Sequence, residues 1–260
     1  MAAQDLFSLR GKTAVVTGGS RGIGLMIARG FVQSGVKVYI SSRKAQVCDE
    51  VAGQLSQEGE CLSVPADLAT EEGVSHLASE MQSREPAVHI LVNNAGAAWG
   101  APFEEYPMSG FDRVWNLNVK AVFRLTQLLL PQLRAAATPD DPARVVNIGS
   151  IDGIRVPVME NYAYSASKAA VHMLTRHMAK ALVADHITVN AIAPGLFPSQ
   201  MTKFLFSDES LTDSVVSSIP LGRHGRPDDM AGAAIYLSSR AGAFVTGSIL
   251  VVDGGSATLQ

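Results

Sequence analysis

The sequence has few cysteines, few aromatic residues and no excess of charge of one sign. Its 260 residues include two cysteines, Cys48 and Cys61, and only 6% are aromatic. Cys48 lies in a predicted helix and Cys61 in the strand that follows, so we expect free thiols that serve packing. The net charge of −3 is spread without a basic stripe, which argues against nucleic acid as a partner.

Long hydrophobic runs are also missing. No apolar stretch approaches the ~18 residues that a membrane-spanning helix requires. The opening residues, MAAQDLFSLRG, contain Asp5 and lack the continuous apolar stretch of a signal peptide. The sequence therefore predicts a cytoplasmic protein with no membrane partner. Hydrophobic residues make up 47% of the chain, enough for a large core, so extended disorder is excluded.

Short β-branched segments alternate with longer helical segments along nearly the whole chain. Strands are predicted at 13–17, 37–41, 61–65, 90–93, 144–148, 188–193 and 248–252. Helices are predicted to begin near Gly22, Lys44, Glu71, Ser109, Tyr164 and Pro227. This alternation is typical of a parallel sheet covered on both faces. We expect residues 1–260 to form one α/β domain, a Rossmann-type doubly wound parallel sheet of about seven strands.

The segment TGGSRGIG, residues 17–24, lies between the first predicted strand and the first predicted helix. Glycine permits tight turns and close approach of the backbone to a pyrophosphate, and the exposed amides at a helix start attract negative charge. This position between strand and helix is where a dinucleotide-binding loop occurs. A purely structural turn is the alternative. The predicted contacts are Gly18, Ser20, Arg21, Gly22, Ile23 and Gly24.

The end of the second predicted strand indicates which dinucleotide is bound. An acidic residue there would bind the ribose 2′-hydroxyl of NAD and repel a 2′-phosphate, but the sequence reads Ser41, Ser42 and Arg43. Arg43 and Arg21 offer charged, forked donors to a phosphate. We therefore predict NADP(H), bound in part by Ser42 and Arg43. The alternative is that both arginines are only solvated.

The segment YSASK places Tyr164 four residues before Lys168. On a helix this spacing puts both side chains on one face. A free tyrosine has a pKa near ~10, and a neighbouring ammonium group lowers it. The pair indicates a proton donor and a lysine that tunes it. Surface packing of the two side chains is the alternative, since tyrosine and lysine four residues apart occur on many helices. Tyr162 lies six residues before Lys168, so we expect it to line or support the pocket instead.

The order of short motifs resembles the short-chain dehydrogenase/reductase family over essentially the whole chain. The motifs are TGGSRGIG from Thr17, DL at Asp67, NNAG from Asn93, NVKAVF from Asn118, NIGS ending at Ser150, YSASK from Tyr164, PG at Pro194 and VDGG from Val252. By this resemblance, Asn118, Ser150, Tyr164 and Lys168 correspond to the catalytic tetrad of the family.

The resemblance implies the reduction of a ketone by hydride from a nicotinamide. Tyr164 would give the proton, Ser150 would bind the same oxygen, and Lys168 would lower the pKa of Tyr164 and bind the nicotinamide ribose. Asn118 would hold a water that replenishes the proton through Lys168. The alternatives are a helix cap or strand-end turn for Ser150 and a helix residue that bonds the backbone for Asn118.

The resemblance implies further cofactor contacts. Asp67 and Leu68 would meet the adenine ring, and Asn94, Ala95 and Gly96 would line the ribose and adenine side. The main chain around Pro194, Gly195 and Phe197 would engage the nicotinamide carboxamide. Ser199, where many relatives carry threonine, would keep the hydroxyl contact. No metal is expected, because His172 and His177, five residues apart, do not share a helix face.

The region after Gly195 is longer than a simple crossover and rich in large apolar residues, so we predict a substrate-covering segment at about 196–220. Packing on the protein body or at a subunit interface is the alternative. The predicted pocket residues are Trp99, Ser150, Ile151, Met159, Tyr164, Met201 and Phe204.

Three stretches, NNAGAAWGAPFEEYP, NIGSIDGI and IAPGLFPSQMT, look most like bacterial 3-oxoacyl reductases of the rhamnolipid-associated type. The resemblance implies a 3-oxoacyl thioester or similar hydrophobic ketone as substrate. An NADP-linked dehydrogenase for a small, cyclic, sugar or steroid substrate is one alternative, and a non-catalytic nucleotide-sensing regulator is another. A homotetramer is also implied, with the helices near Ser109 and Tyr164 at one interface and the VVDGGSATLQ end at the other.

Overall fold

The computed structural model describes residues 3–206 and 208–257. At its centre lies a parallel sheet of seven strands in the order β3-β2-β1-β4-β5-β6-β7. The strands are β1 (Thr13–Thr17), β2 (Lys37–Ser41), β3 (Cys61–Ser63), β4 (Ile90–Asn93), β5 (Ala143–Ile148), β6 (Ile187–Pro194) and β7 (Ile249–Val252). The strand order reverses between β1 and β4, and open α/β sheets bind ligands at the carboxyl ends of strands beside such a reversal.

Helices cover both faces of this sheet. They are α1 (Ala3–Leu6), α2 (Gly22–Gln33), α3 (Ala45–Leu55), α4 (Glu71–Arg84), α5 (Met108–Trp115), α6 (Ala121–Leu128), α7 (Leu130–Ala136), α8 (Tyr162–Leu182), α9 (Glu209–Ser217) and α10 (Pro227–Ser238). Successive strand residues point to opposite faces, so Val16 and Val15 lie in different apolar clusters. The first cluster includes Phe31 of α2, and the second includes Leu125 of α6.

The predicted fold class is confirmed by the seven-stranded parallel sheet. Several boundaries differ from the predictions by one or two residues. The edge strand β3 ends at Ser63 instead of residue 65, because Pro65 has no amide hydrogen with which to continue the ladder. Helix α8 begins at Tyr162, two residues before the predicted start, so both tyrosines of YAYSASK lie in its first turn.

The two cysteines are buried and free, as the sequence predicts. Burial raises the pKa of the Cys61 thiol to about 12, which keeps it protonated at neutral pH. Both side chains therefore contribute to core packing, Cys48 from α3 and Cys61 from β3.

The predicted substrate-covering segment is partly helical. It contains a 3₁₀ turn at Lys203–Phe206 and helix α9, and residue 207 lies outside the described residues. Within residues 3–206 and 208–257, no helix combines the length and the apolar character needed to cross a bilayer.

Candidate active site

The glycine loop is held against the end of β4 by a threonine and an asparagine. The Thr17 hydroxyl oxygen accepts hydrogen bonds from the amides of Asn94 at 2.9 Å and Ala95 at 3.0 Å. The Asn94 side chain donates to the Thr17 carbonyl at 2.8 Å and the Gly18 carbonyl at 3.2 Å. Asn94 therefore shapes the loop through its side-chain nitrogen and its amide, and the cofactor contact at Asn94 stays a prediction.

Glycine is required in this loop by close contacts. Gly18 has φ of +64°, and a Cβ there would lie 2.7 Å from Asn94 Nδ2. A Cβ on Gly24 would lie 2.3 Å from the Gly18 carbonyl oxygen. The residue that precedes α2, Arg21, makes no side-chain capping bond, so the first amides of this 12-residue helix have no side-chain cap. A concave loop of this kind fits a pyrophosphate.

The end of β2 fits a phosphorylated ribose. The buried Ser41 hydroxyl has no hydrogen-bond partner among the described residues. Arg21 and Arg43 are both exposed, and the described part of the chain offers neither guanidinium a hydrogen bond or an ion pair. No carboxylate ends β2. The residues present therefore suit a 2′-phosphate.

The adenine side of the predicted site differs between its two residues. Leu68 is buried, whereas Asp67 is exposed and its carboxylate accepts a hydrogen bond from the Ala69 amide at 3.1 Å. Asp67 thus fixes the turn that leads into α4. One of its carboxylate oxygens is used locally, and the other is available to a ligand.

The residues YSASK bring Tyr164 and Lys168 together on α8, one turn apart, with Lys168 Nζ 5.5 Å from the centre of the Tyr164 ring. The Ser150 hydroxyl, at the end of β5, lies beside the Tyr164 phenol and acts to lower its pKa. Ser150 also accepts a hydrogen bond from the Asp152 amide at 3.1 Å. Two hydroxyl groups from different elements therefore converge beside one ammonium group.

Burial dominates the electrostatics of this group. Burial raises the pKa of Tyr164 to about 12, the Ser150 hydroxyl opposes this rise, and the charge of Asp152 adds to it. Burial also lowers the pKa of Lys168 to about 8. Lys168 Nζ donates to the Ile148 carbonyl at 2.7 Å. Desolvation of the phenolate therefore outweighs the groups that favour it, and the lowering of the Tyr164 pKa by Lys168 stays a prediction.

Asn118 lies at the same centre. It belongs to a π-helical turn, Asn116–Lys120, between α5 and α6. Its Oδ1 accepts from the Ala97 amide at 2.8 Å, and its Nδ2 donates to the Ala97 carbonyl and Ser167 Oγ, each at 2.9 Å. The side chain therefore anchors the loop after β4 by bonding its backbone, and the water held by Asn118 stays a prediction.

Gly96 links this anchor to the lysine. A Cβ on Gly96 would lie 3.4 Å from Asn118 Oδ1 and 3.8 Å from Lys168 Nζ. The loop after β4 therefore passes directly beside the catalytic group. A Cβ at this position would make ordinary van der Waals contacts with Asn118 and Lys168.

The loop after β6 covers the glycine loop. A Cβ on Gly22 would lie 3.3 Å from the Ser199 Cβ. The Ser199 and Thr202 hydroxyl oxygens are 3.0 Å apart, and Thr202 donates to the Phe197 carbonyl at 2.7 Å. The Phe197 side chain is buried against Gly225, so its main chain is the part that faces the site. Thr202 was not predicted as part of this loop. Its hydroxyl, three residues after Ser199, is the sequence feature that could have indicated this role.

The predicted substrate residues fall into three groups. Ser150 and Ile151 are buried beside Tyr164, whereas Met159, Met201 and Phe204 are about half exposed. Trp99 packs on Gly110 of α5, where a Cβ would lie 2.8 Å from its ring, and Arg113 lies 5.8 Å above it. Trp99 therefore supports the loop through α5.

An aromatic cluster near the predicted pocket was missed. Tyr162 makes edge-to-face contacts with Phe103 and Tyr106, both with ring centres 5.5 Å apart. These contacts join the loop after β4 to the start of α8, which is the supporting role predicted for Tyr162. Phe103 and Tyr106 are separated by two residues in a chain with few aromatic residues. This close spacing is the sequence feature that could have indicated an aromatic cluster.

Two further residues, His172 and Asp152, lie near Ser150 and were not predicted as parts of the site. His172 is buried, and Cβ atoms on Gly149 and Gly153 would lie 2.1 Å from its Nε2 and 3.0 Å from its Cε1. Burial lowers the pKa of His172 to about 4, so it is neutral and wedges the Ser150 loop against α8. Asp152 is the second residue.

His177 is exposed, and the described residues contain no cluster of three His, Cys, Asp or Glu side chains suited to a metal.

Comparisons with known proteins place this arrangement among nucleotide-dependent oxidoreductases. A family model described as enoyl-(acyl carrier protein) reductase matches residues 18–257. The rhamnolipids biosynthesis 3-oxoacyl-[acyl-carrier-protein] reductase of Pseudomonas aeruginosa is 50% identical over 249 residues, covering 96% of this chain and 97% of that protein. Gluconate 5-dehydrogenase of Gluconobacter oxydans is 36% identical over 257 residues, covering 98% of each.

A solved structure shows the same fold closely. The RhlG/NADP active-site complex of Pseudomonas aeruginosa aligns with a TM-score of 0.95 and 49% sequence identity, over 97% of this chain and 99% of that chain. The likeness extends over the sheet, the glycine loop and the elements that carry Ser150, Tyr164 and Lys168.

Proposed function

Because the chain belongs to the short-chain dehydrogenase/reductase family, we propose that it is an NADPH-dependent reductase that converts a ketone to a secondary alcohol. The observation that carries this proposal is the pair of hydroxyls, Ser150 and Tyr164, that lie together beside Lys168. Ketone reduction places negative charge on one oxygen, and two donors directed at one point stabilise that charge.

The protonation states suit reduction. With a pKa of about 12, Tyr164 carries its proton at neutral pH and donates it to the alkoxide, a far stronger base than phenolate. Ser150 holds the same oxygen through its hydroxyl. Lys168, with a pKa of about 8, is mostly charged at pH 7 and stabilises the phenolate that results. NADPH, when bound, supplies the hydride.

NADP(H) is favoured over NAD(H) by the residues at the end of β2. Arg43 and Arg21 are exposed and able to form charge-assisted bonds with a 2′-phosphate. The P. aeruginosa structure named above was solved with NADP, which supports the same choice for this chain. The glycine loop, Gly96 and the main chain at Pro194 and Gly195 would hold the rest of the cofactor.

We propose a 3-oxoacyl thioester or similar hydrophobic ketone as substrate. The name of the Pseudomonas aeruginosa relative supports this class, and Met159, Met201 and Phe204 supply half-exposed apolar surface for an acyl chain. A sugar-type substrate is the second candidate because of the gluconate 5-dehydrogenase relative. A purely regulatory role is disfavoured, since the described residues hold a complete tetrad.

The family model carries the description of an enoyl reductase, a reaction at a carbon–carbon double bond. The paired hydroxyls favour the ketone reaction, because they address an oxygen that gains charge directly. NADPH oxidation measured with a 3-oxoacyl thioester, a 2-enoyl thioester of equal length, a cyclic ketone and 5-ketogluconate separates these candidates. We expect the 3-oxoacyl thioester to be reduced fastest, and reduction of only the enoyl compound would refute the proposal.

We also propose that residues 1–260 act as one domain in a cytoplasmic homotetramer, with the segment at about 196–220 covering the substrate. Exposed apolar residues, among them Met173 on α8 and Phe123 on α6, support burial of helix faces between subunits. The family resemblance supports the number four. Light scattering on the purified enzyme tests this, and a stable monomer would contradict it.

A further inference from the structure

A carboxylate lies beside the hydroxyl pair, although ketone reduction does not require one. Asp152 follows Ser150 by two residues, and its amide donates to the Ser150 hydroxyl at 3.1 Å. Its charge acts on the Tyr164 phenol. The side chain is partly exposed, so solvent or a ligand reaches it. The charge of Asp152 therefore lies within electrostatic range of a ketone held by Ser150 and Tyr164.

The charge of Asp152 is poorly compensated. Among the described residues, one side chain donates a hydrogen bond to it, and this bond is long, 3.4 Å from Asn161 Nδ2. Arg155 is the cation that acts on it, but Arg155 Nη1 donates to the Ser256 carbonyl at 2.8 Å. Within residues 3–206 and 208–257, no ion pair includes Asp152. A carboxylate in this state repels a second anion and accepts from any donor.

The neighbouring asparagine adds a second acceptor. Asn161 is only 6% exposed, and its Oδ1 has no hydrogen-bond partner among the described residues. Its Nδ2 already serves Asp152, which fixes the orientation of the amide. The two side chains together present acceptors and no unused cationic donor. Such a pair fits a neutral group or a hydrogen-bond donor next to the ketone.

We propose that Asp152 sets the charge preference of the substrate site, rejecting ketones with a carboxylate close to the carbonyl and admitting their neutral esters, thioesters or hydroxylated analogues. This inference rests on the proposed function, because it presumes a ketone bound at Ser150 and Tyr164. Two negative charges a few ångströms apart in a partly buried site repel strongly enough to lower affinity about ten- to hundredfold.

The experiment compares two substrates and two variants. Ethyl 3-oxooctanoate and free 3-oxooctanoate differ in charge and share the ketone and the chain. Wild-type enzyme with NADPH is expected to show a kcat/KM at least about tenfold higher for the ester. Asp152→Asn, which keeps the shape and removes the charge, is expected to reduce that ratio about tenfold. Glu160→Gln is the matched control, since Glu160 is exposed and should leave the ratio unchanged.

A second readout is the pH profile of kcat for the ester. Asp152, Lys168 and the Ser150 hydroxyl act on the Tyr164 phenol, and Arg155 acts on Asp152. Removing the Asp152 charge is expected to move the alkaline limb of the profile to lower pH, because one cause of the high Tyr164 pKa is lost. A merely structural role for Asp152 would leave this limb in place.

Equilibrium binding of both compounds to the NADP⁺ complex is measured alongside turnover. Absence of turnover with every ketone would contradict the proposed function alone. Equal binding of ester and free acid by the wild type, or an unchanged preference in Asp152→Asn, would overturn the role of Asp152. A preference lost equally in Glu160→Gln would also overturn it, by assigning the effect to the general charge of the surface.

Discussion

Buried positive charge lies at both ends of strand β5, and the two ends differ in whether a carboxylate neutralises it. At the amino end, Arg144 is 1% exposed, pairs with Asp141, and donates to the Ser239 carbonyl at 3.0 Å. Lys12 Nζ lies 2.5 Å from the same Asp141 carboxylate. At the carboxyl end, Lys168 is 5% exposed and donates to the Ile148 carbonyl. No ion pair with a carboxylate holds Lys168 within the described residues.

This difference distinguishes a structural charge from a functional one. A buried ion pair stabilises only as a complete set, and loss of one partner is costly. A buried cation without a counterion is destabilising in itself and suits sites where a charge must act on a reacting group. The amino end of β5 therefore contributes to the stability of the fold, and the carboxyl end is where we propose that the chemistry takes place.

The largest effect is expected from Lys168→Met. Turnover should fall by roughly a thousandfold or more, because Tyr164 loses the charge that stabilises its phenolate. The free energy of unfolding should stay the same or rise, because a desolvated charge is removed together with one hydrogen bond. NADPH oxidation rates measure the loss of turnover, and urea unfolding measures the free energy of unfolding. A strong loss of stability would place Lys168 in the structural class and break the contrast.

Arg144→Met is expected to show the opposite pattern. Removing the guanidinium leaves Asp141 with Lys12 alone and the Ser239 carbonyl without its donor, so the free energy of unfolding should fall by about 3–5 kcal/mol. Turnover per folded molecule at low temperature should stay within a few-fold of the wild type. Urea unfolding measures the free energy of unfolding, and activity assays at 10 °C measure turnover per folded molecule. Unchanged stability would contradict the structural role.

The pH dependence of stability sharpens the contrast further. The folded-state pKa of Lys168 is about 8, below the ordinary 10.5, so the unfolded chain binds the proton more tightly. The destabilisation is fully present below pH 8 and disappears as pH rises toward 10.5, a change of about 3 kcal/mol. Urea unfolding of the wild type and Lys168→Met at pH 7 and pH 10 should show the wild type gaining relative to the variant. A constant difference would show that Lys168 is not desolvated.

A smaller effect is expected at the cofactor end of the cleft. Arg43→Asp should lower the preference for NADPH over NADH by about tenfold or more, because a carboxylate repels the 2′-phosphate and accepts from a 2′-hydroxyl. The ratio of kcat/KM for the two cofactors measures this. Arg29→Asp, a charge change on the outer face of α2, is the control. An equal loss of preference in both variants would indicate a general electrostatic effect.

Local sequence patterns predicted the sheet, the glycine loop and the pairing of Tyr164 with Lys168, and the family resemblance implied that Ser150 joins them. Each depends on residues close in the chain or on strands whose order follows from parallel pairing. The arginine site at the other end of β5 could not be predicted, because Lys12 and Asp141 meet across 129 residues. The pKa direction of Tyr164, the packing of Trp99 on α5 and the bonds of Asn118 depend on tertiary burial in the same way.

The central claim is that Tyr164 protonates the ketone oxygen during NADPH-dependent reduction. The most direct test measures single-turnover NADPH oxidation with a 3-oxoacyl ester for the wild type, Tyr164→Phe and Tyr162→Phe, together with NADPH binding. We expect Tyr164→Phe to bind NADPH nearly normally and lose turnover by at least roughly a thousandfold, whereas Tyr162→Phe stays within about tenfold of the wild type. Substantial turnover by Tyr164→Phe would contradict the claim.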